Sequence, residues 1–336
     1  MPREIMPGQI AIAWHGLPYY AFHCIESILS EFRPSFLATP GPAIEAAANY
    51  PNFRLLGGEK HSGWQNLGLP VPLLFFQTGW GYPLFNRLGE EVRHKGGKVV
   101  TFVDNNRKHN LRQLLGFLYY RFYLHRHFSA AWVPGASAAE LMRFFGCRQI
   151  YRGLYSAGPE FTGRARDQRL RRLLYAGQFI ERKAVQPLCD AFLSLEGTGW
   201  ELWLVGQGPL KLEEKKNVHV MPFQPPDMLA RLMRESSWFV LPSYEEHWGV
   251  VVHEAALSGC ALILRRSIGS VPDLADDENA LFFDHDEELP EVLAMAMQME
   301  AGKLKRMSEA STRRAAAFSI ERWRKTFHQI VQDLLL

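Results

Sequence analysis

Residues 238–264 read WFVLPSYEEHWGVVVHEAALSGCALIL. The stretch opens on an apolar run, 238–242, rich in aromatic and β-branched residues, as a buried strand requires. A helical segment follows at 250–258, and Gly259 stands where a left-handed C-cap belongs. A second apolar run, 261–264, completes a strand–helix–strand unit. Two strands joined through a helix pair in parallel, with the helix on one face of the sheet.

The same alternation extends outward in both directions. Upstream lie strand 173–176, helix 184–195, strand 201–205, strand 218–221 and helix 226–235; downstream, the chain reaches Gly269. In the first half, strand 9–14 ends at His15-Gly16-Leu17-Pro18. A helix then shows one apolar face through Ala21, Phe22, Ile25, Ile28 and Leu29. Short runs at 35–38, 53–56, 73–77 and 98–103 read as strands, and 43–49 and 82–94 as helices; Thr39-Pro40-Gly41-Pro42 closes one strand and Asp104-Asn105-Asn106 another. No internal repeat is present. The best break is 153–163, with Gly158-Pro159 inside it and the basic run 164–172 behind it. The expected organisation is an α/β domain over 1–160, a second over 161–318, and a terminal helix over 319–336. In open parallel sheets ligands bind outside the carboxyl ends of the strands, so residues just after strands carry the functional interest.

Composition agrees. A chain of 336 residues corresponds to about two domains. With 47% hydrophobic and 22% charged residues it is neither collagenous, coiled-coil nor disordered. Cys24, Cys147, Cys189 and Cys260 form no CxxC, so neither a zinc site nor a disulfide framework is suggested, and a reducing cytoplasm fits. No uncharged apolar run is long enough to cross a membrane, and the charged N-terminus with its short apolar stretch does not read as a signal peptide. Residues 1–165 hold 17 Lys and Arg against 10 Asp and Glu, whereas the rest hold 21 against 25. The basic half suits an anionic partner (nucleic acid, a phospholipid surface or a phosphorylated substrate) or reflects an ordinary difference in surface charge.

The strongest chemical signal is Glu246 in the loop after strand 238–242, with Glu254 in the helix that follows. Eight residues of helix span roughly 12 Å, about a sugar ring plus a ribose. Gly249 permits close backbone approach, and the helix N-terminus favours an anion. A carboxylate at each end of that stretch can accept hydroxyl hydrogen bonds from two sugars. By spacing alone, two solvated glutamates flanking an amphipathic helix explain the pattern equally well.

Other segments supply context. Tyr175-Ala176-Gly177-Gln178-Phe179-Ile180-Glu181-Arg182-Lys183 resembles the Gly-Arg-Leu…Lys-Gly loop of GT-B glycosyltransferases, specifically glycosyltransferase family 4. Glu246 and Glu254 match its Glu-x7-Glu motif. Leu204-Val205-Gly206-Gln207-Gly208-Pro209 matches its Val-Gly-x-Gly-Pro turn. Residues 218–225 with 227–234 match its base-pocket strand and helix. Gly269-Ser270-Val271-Pro272-Asp273 with Asn279-Ala280-Leu281 matches its Gly-Gly-Val-Pro-Glu…Asn-Gly-Leu. The likeness covers 170–336; over 1–165 it is mostly architectural.

The resemblance implies an α/β, GT-B fold: two Rossmann-like domains facing across a cleft, with helix 320–335 crossing back to the first. It implies that Lys183 binds the donor diphosphate, Glu254 its ribose and Glu246 the transferred sugar. Trp248, Gly249 and Val250 would offer amides, and Gly206, Met221 and Phe223 would lie along the donor. Gln178 stands where the family has arginine, with Arg182 as the neighbouring substitute, and Ala184 replaces the glycine after the lysine, a mild change. His247 either binds substrate or fills the rim. Gly16 falls in the family's glycine loop, where its amide would meet the diphosphate. Asp104 takes the place of the acceptor-side base, or is simply a turn-forming residue.

Three further patterns bear on function. Asp284-His285-Asp286 is formally a DxD, the metal motif of a different glycosyltransferase fold, and lies in a polar loop. Gly206-x-Gly208 lacks the third glycine of a dinucleotide fingerprint. Residues 105–128, NNRKHNLRQLLGFLYYRFYLHRHF, interleave Arg107, Lys108, Arg112, Arg121 and Arg126 with Leu, Phe and Tyr. That composition suits an anionic membrane surface or lipid-linked acceptor, or a plain helix with a basic face; nucleic acid is not expected.

The expected function is glycosyl transfer from a nucleotide-diphosphate sugar to the hydroxyl of a glycan or lipid-linked acceptor. Retention and independence of metal are implied by the resemblance, in surface polysaccharide or glycolipid synthesis. No metal site and no cofactor are expected, the nucleotide sugar being a co-substrate. The expected location is cytoplasmic, or peripheral on the inner membrane face. The alternatives are a degenerate relative that binds a sugar nucleotide or scaffolds an assembly complex without catalysis, and an epimerase or phosphorylase on the same fold.

Overall fold

A computed structural model describes residues 6–57, 63–108, 111–163, 169–195 and 197–336, apart from the side chain of Arg112. The chain forms two compact units, one of Met1–Ser156 with Ile320–Leu336 and one of Ala157–Ser319.

The first unit is built on a seven-stranded parallel sheet. Its elements are β1 (Ile10–Trp14), α1 (Tyr19–Phe32), β2 (Ser35–Ala38), α2 (Ile44–Ala47), β3 (Phe53–Leu55), β4 (Leu74–Thr78), α3 (Pro83–His94), β5 (Lys98–Phe102), α4 (Leu111–Phe122), β6 (Ala130–Val133), α5 (Ala136–Phe144) and β7 (Ile150–Arg152). The strand order is β3-β2-β1-β4-β5-β6-β7, so the chain reverses direction across the sheet between β1 and β4. Alternate residues of β1 serve opposite faces. Ile10, Ile12 and Trp14 join one core and Ala11 and Ala13 the other, as the period of two demands.

The C-terminal helix, Ile320–Leu335, packs on this first unit. Trp323, Phe327, Ile330 and Val331 form its buried stripe, at the i, i+4, i+7, i+8 spacing of an amphipathic helix. Trp323 stacks on Trp132 at 4.8 Å and Phe327 on Phe76 at 5.0 Å between ring centroids. Tyr151 donates to Asp333 at 2.8 Å.

The second unit carries a six-stranded parallel sheet. Its elements are β8 (Leu170–Ala176), α6 (Val185–Leu193), β9 (Glu201–Val205), β10 (Val218–Met221), α7 (Pro226–Glu235), β11 (Ser236–Leu241), α8 (Val250–Leu257), β12 (Ala261–Arg265), α9 (Val271–Leu274), β13 (Ala280–Phe283), α10 (Leu289–Met297) and α11 (Ala301–Ala316). The order is β10-β9-β8-β11-β12-β13, with the reversal between β8 and β11.

Several elements differ from the sequence reading. The helix expected over 43–49 is the single turn α2, bounded by the Pro-Gly-Pro segment before it and Pro51 after it. Strand β8 starts at Leu170, three residues before the expected 173, because Arg172 packs its guanidinium on the Trp203 ring and beside Glu235. Strands β6 and β7 and helices α5, α10 and α11 have no counterpart in that reading; β6 and β7 are too short to show a period. The units meet between Ser156 and Ala157, earlier than the expected 160. Residues 157–161 bond into the second unit: the Ala157 N–H donates to His253, and Arg234 donates to the Glu160 carbonyl. Residues 164–168 of the basic run, and His109 and Asn110 of the 105–128 stretch, lie outside the described residues.

Candidate functional site

In a parallel sheet the loops leaving two strands at a reversal point diverge and open a crevice. In the second unit those strands are β8 and β11. The loop after β8 carries Lys183, and the loop after β11 carries Glu246. Their side chains form an ion pair, with Lys183 only 9% exposed. The two loops are latched further. Tyr244 N–H donates to the Arg182 carbonyl at 3.0 Å, and the Arg182 guanidinium donates to the Glu245 carbonyl. Gly269 N–H donates to the Glu246 carbonyl at 3.1 Å, drawing in the loop after β12. A buried ammonium beside a carboxylate at the crevice is an arrangement in which an incoming anion competes for the cation.

The backbone explains several residue choices. A Cβ on Gly206 would lie 1.8 Å from the Gly177 carbonyl oxygen, and one on Gly208 2.3 Å from that of Phe179. These glycines let the turn after β9 pack against the Lys183 loop, with Phe179 N–H donating to Gln207 O at 2.9 Å. Gly249 adopts φ 75° at the start of α8, where only glycine is unstrained. Ala184 adopts φ 51° and ψ 36°. The change from glycine is therefore not the mild one expected: it places an alanine in the left-handed region, which costs about 1–2 kcal/mol.

Glu254 lies in α8 and is half-buried. Burial of its carboxyl, with the charge of Glu160 adding, pushes its pKa up to about 8. No direct bond joins Glu254 to Lys183 or Glu246 among the described contacts. Beside it, His253 is fully buried. Its Nδ1 accepts from Ala157 N–H at 2.9 Å, which leaves Nε2–H to donate to the Ala315 carbonyl at 2.9 Å. Burial lowers the His253 pKa to about 4, so the ring stays neutral. This histidine ties α8 to residue 157 and to α11, and so fixes the helix on which Glu254 rides.

The remaining donor candidates are distributed along the same edge of the sheet. Met221 ends β10 and Phe223 follows it, 67% exposed. Gln178 is exposed, and its carbonyl accepts from Tyr175 Oη at 2.8 Å. Trp248 is buried against Phe318 at 5.4 Å, so its indole is core; Val250 opens α8. His247 Nε2 lies 3.4 Å from Glu245. In the DxD-like loop, Asp286 pairs with Arg265 and accepts from Tyr244, and Asp284 pairs with Arg266. These carboxylates are held by guanidinium groups.

The first unit has its own reversal point, between β1 and β4. A cavity of about 620 Å³ opens there, lined by residues after β1, β4 and β5, with Gly16 and Asp104 among them. The Gly16 N–H donates to Thr39 Oγ1 at 2.7 Å and the His15 N–H to Thr78 Oγ1 at 3.0 Å. The amides expected to face a diphosphate are thus committed to threonine hydroxyls. Gly41 holds that loop closed: a Cβ there would lie 2.4 Å from Leu17 N. Asp104 accepts from Tyr155 Oη at 3.2 Å.

Sequence reasoning misses Tyr155, Thr39, Thr78, Gly41, Glu160 and the clamp made by His253. Each acts through a neighbour remote in the chain; only the Thr39-Pro40-Gly41-Pro42 run leaves a signal, and that signal is one of strand termination.

Residues 170–299 match the family model of glycosyl transferases group 1. No curated protein matches the chain. Among solved structures, Anabaena HepE in complex with UDP superposes with TM-score 0.75 at 13% identity, over 96% of this chain and 100% of that one. A glycosyltransferase from Rickettsia africae gives TM-score 0.76 at 10% identity, over 97% and 98%. The UDP-forming α,α-trehalose-phosphate synthase of Burkholderia vietnamiensis gives 0.72 at 10%, over 97% and 100%. The fold is the one these GT-B glycosyltransferases share.

Proposed function

We propose that the protein transfers a glycosyl group from a nucleotide-diphosphate sugar to an acceptor hydroxyl, with retention and without a metal, in the assembly of a surface polysaccharide or glycolipid. The observation that carries this reading is the Lys183–Glu246 pair at the reversal point of the second sheet. A donor diphosphate takes Lys183 as its counter-charge, and the ammonium stabilises the negative charge that grows on the leaving phosphate. Glu246, released from that pair, accepts hydrogen bonds from the hydroxyls of the transferred sugar. Glu254 accepts from the ribose. Asp104, in the first unit, receives the acceptor hydroxyl proton. Gln178 leaves Lys183 as the main fixed charge on the diphosphate, since the Arg182 guanidinium is engaged by Glu245.

UDP and UDP-glucose, found with Anabaena HepE, head the donors to test in a thermal-shift panel of nucleotide sugars. A donor at 100 times its Kd stabilises the native state by about 2.7 kcal/mol. Lys183→Ala should lower kcat/KM about 100-fold; wild-type turnover in that variant refutes the role. Donor conversion without acceptor would instead favour an epimerase, and binding without turnover a scaffold.

Attachment to an anionic membrane belongs to the same proposal. On α4 and the residues just beyond it, Leu111, Leu115, Phe122 and Tyr123 are each at least 60% exposed, and Arg121 and Arg126 are exposed alongside them. An apolar face with basic residues on it suits the boundary between headgroups and acyl chains. No helix among the described residues is long and apolar enough to cross a membrane.

A further inference from the structure

The cavity of the first unit has a chemistry narrower than "acceptor". Its walls carry six aromatic side chains: Trp14, Tyr20, Trp80, Tyr82, Phe102 and Tyr155. Among the described residues that line it there is no lysine or arginine, and Asp104 supplies a carboxylate. Tyr155 holds that carboxylate with its hydroxyl at 3.2 Å and packs edge-on against Tyr20 at 5.2 Å between ring centroids. His15 is held from behind. Thr39 Oγ1, which accepts from the Gly16 amide, also lies at hydrogen-bond distance, 2.9 Å, from His15 Nδ1. The other ring nitrogen, Nε2, can bond a sugar hydroxyl as donor or acceptor.

We propose that this cavity binds an uncharged sugar residue as the acceptor, and that it discriminates against phosphorylated and uronic sugars. The inference rests on the glycosyltransferase reading and narrows it to a substrate class. A sugar ring has an apolar face of C–H groups and a rim of hydroxyls. Aromatic walls cover the face, while Asp104 accepts from one hydroxyl and His15 Nε2 bonds another. Guanidinium and ammonium groups are the strongest phosphate ligands, and the described lining residues offer neither. A phosphate brought into the same cavity would meet the partly buried Asp104 carboxylate, and like charges repel. The cavity size falls within the ordinary range for small-molecule sites.

Gly81 provides a probe that leaves the core alone. It lines the cavity, it is exposed, and a Cβ placed on it meets no atom within 4 Å. Leucine at this position fills space belonging to the ligand. The experiment titrates the full chain with methyl glycosides of glucose, galactose, mannose, N-acetylglucosamine and rhamnose. In parallel it is titrated with glucose 6-phosphate, fructose 6-phosphate, mannose 6-phosphate and glucuronate. Tryptophan fluorescence reports binding, because Trp14 and Trp80 line the site. The expected result is that at least one neutral glycoside binds at least tenfold more tightly than every anionic sugar. Gly81→Leu should weaken that binding at least tenfold, while Asp104→Asn should narrow the gap between neutral and anionic sugars. An anionic sugar binding within tenfold of the best neutral glycoside overturns the proposal. So does failure of all five glycosides to bind at 50 mM, or binding indifferent to Gly81→Leu. UDP binding, sensitive to Lys183→Ala and not to Gly81→Leu, is measured on the same samples. Its loss with glycoside binding intact refutes the transferase reading, whereas its retention without glycoside binding refutes only the acceptor class.

Discussion

Replacing Glu254 by glutamine tests the electrostatics of helix α8. In the ligand-free protein burial holds the Glu254 carboxyl near pKa 8, against an ordinary 4.5, with Glu160 contributing. The folded state therefore binds a proton that the unfolded state releases. Below about pH 4.5 both states are protonated and the site costs nothing. As pH rises toward 8 the unfolded chain gains its ionisation while the folded chain does not, so stability falls; above pH 8 both ionise and the loss levels off. Moving the carboxyl from 4.5 to about 8 costs about 5 kcal/mol at the plateau and about 3 kcal/mol at pH 7. Glutamine keeps the shape and cannot ionise. Glu254→Gln should leave stability at pH 4.5 nearly unchanged and raise it by up to about 3 kcal/mol at pH 7. Urea unfolding of both proteins at pH 4.5, 6, 7 and 8.5 measures this directly. If Glu254 accepts ribose hydroxyls as a carboxylate, UDP binding at pH 7 should also release close to one proton, read by calorimetry in buffers of different ionisation enthalpy. Parallel stability curves for the two proteins would refute the buried-carboxyl argument. Binding without proton release would refute the ribose assignment.

Other consequences are simpler to check. Ala184→Gly removes a left-handed alanine at a cost in unfolded-chain entropy; the net gain should be up to about 1 kcal/mol, seen as a higher melting temperature. Phe327→Ala, which vacates the face shared by Phe76, Trp132 and Phe32, should cost about 3–5 kcal/mol and loosen the first unit, as hydrogen exchange would show. Leu115→Glu with Leu118→Glu, both on the exposed face of α4, should abolish binding to anionic vesicles, and wild-type binding should weaken with salt. Equal binding to neutral vesicles would count against the basic face as its cause.

Much of the second unit is legible in the sequence. Helix 226–235 and strand 201–205 there, and helix 320–335 of the first unit, agree with the structure to the residue, because their apolar periods run uninterrupted between clear turn signals. The loops after β8 and β11 are legible as loops, and Lys183 and Glu246 stand out within them. The aromatic cavity of the first unit is not. Trp14, Trp80, Phe102 and Tyr155 come from four separate segments, and each looks like an ordinary core aromatic when read along the chain.

The amino-acid sequence alone determined that strands alternate with helices and which loops carry ammonium and carboxylate groups, since periodicity and turn chemistry act over a few residues. Only the tertiary structure decided which of those groups meet. Sheet order joins the loop after β8 to the loop after β11, burial sets the ionisation of Glu254, and a remote tyrosine orients Asp104. Those outcomes depend on through-space neighbours and on exclusion of water, which no local pattern records.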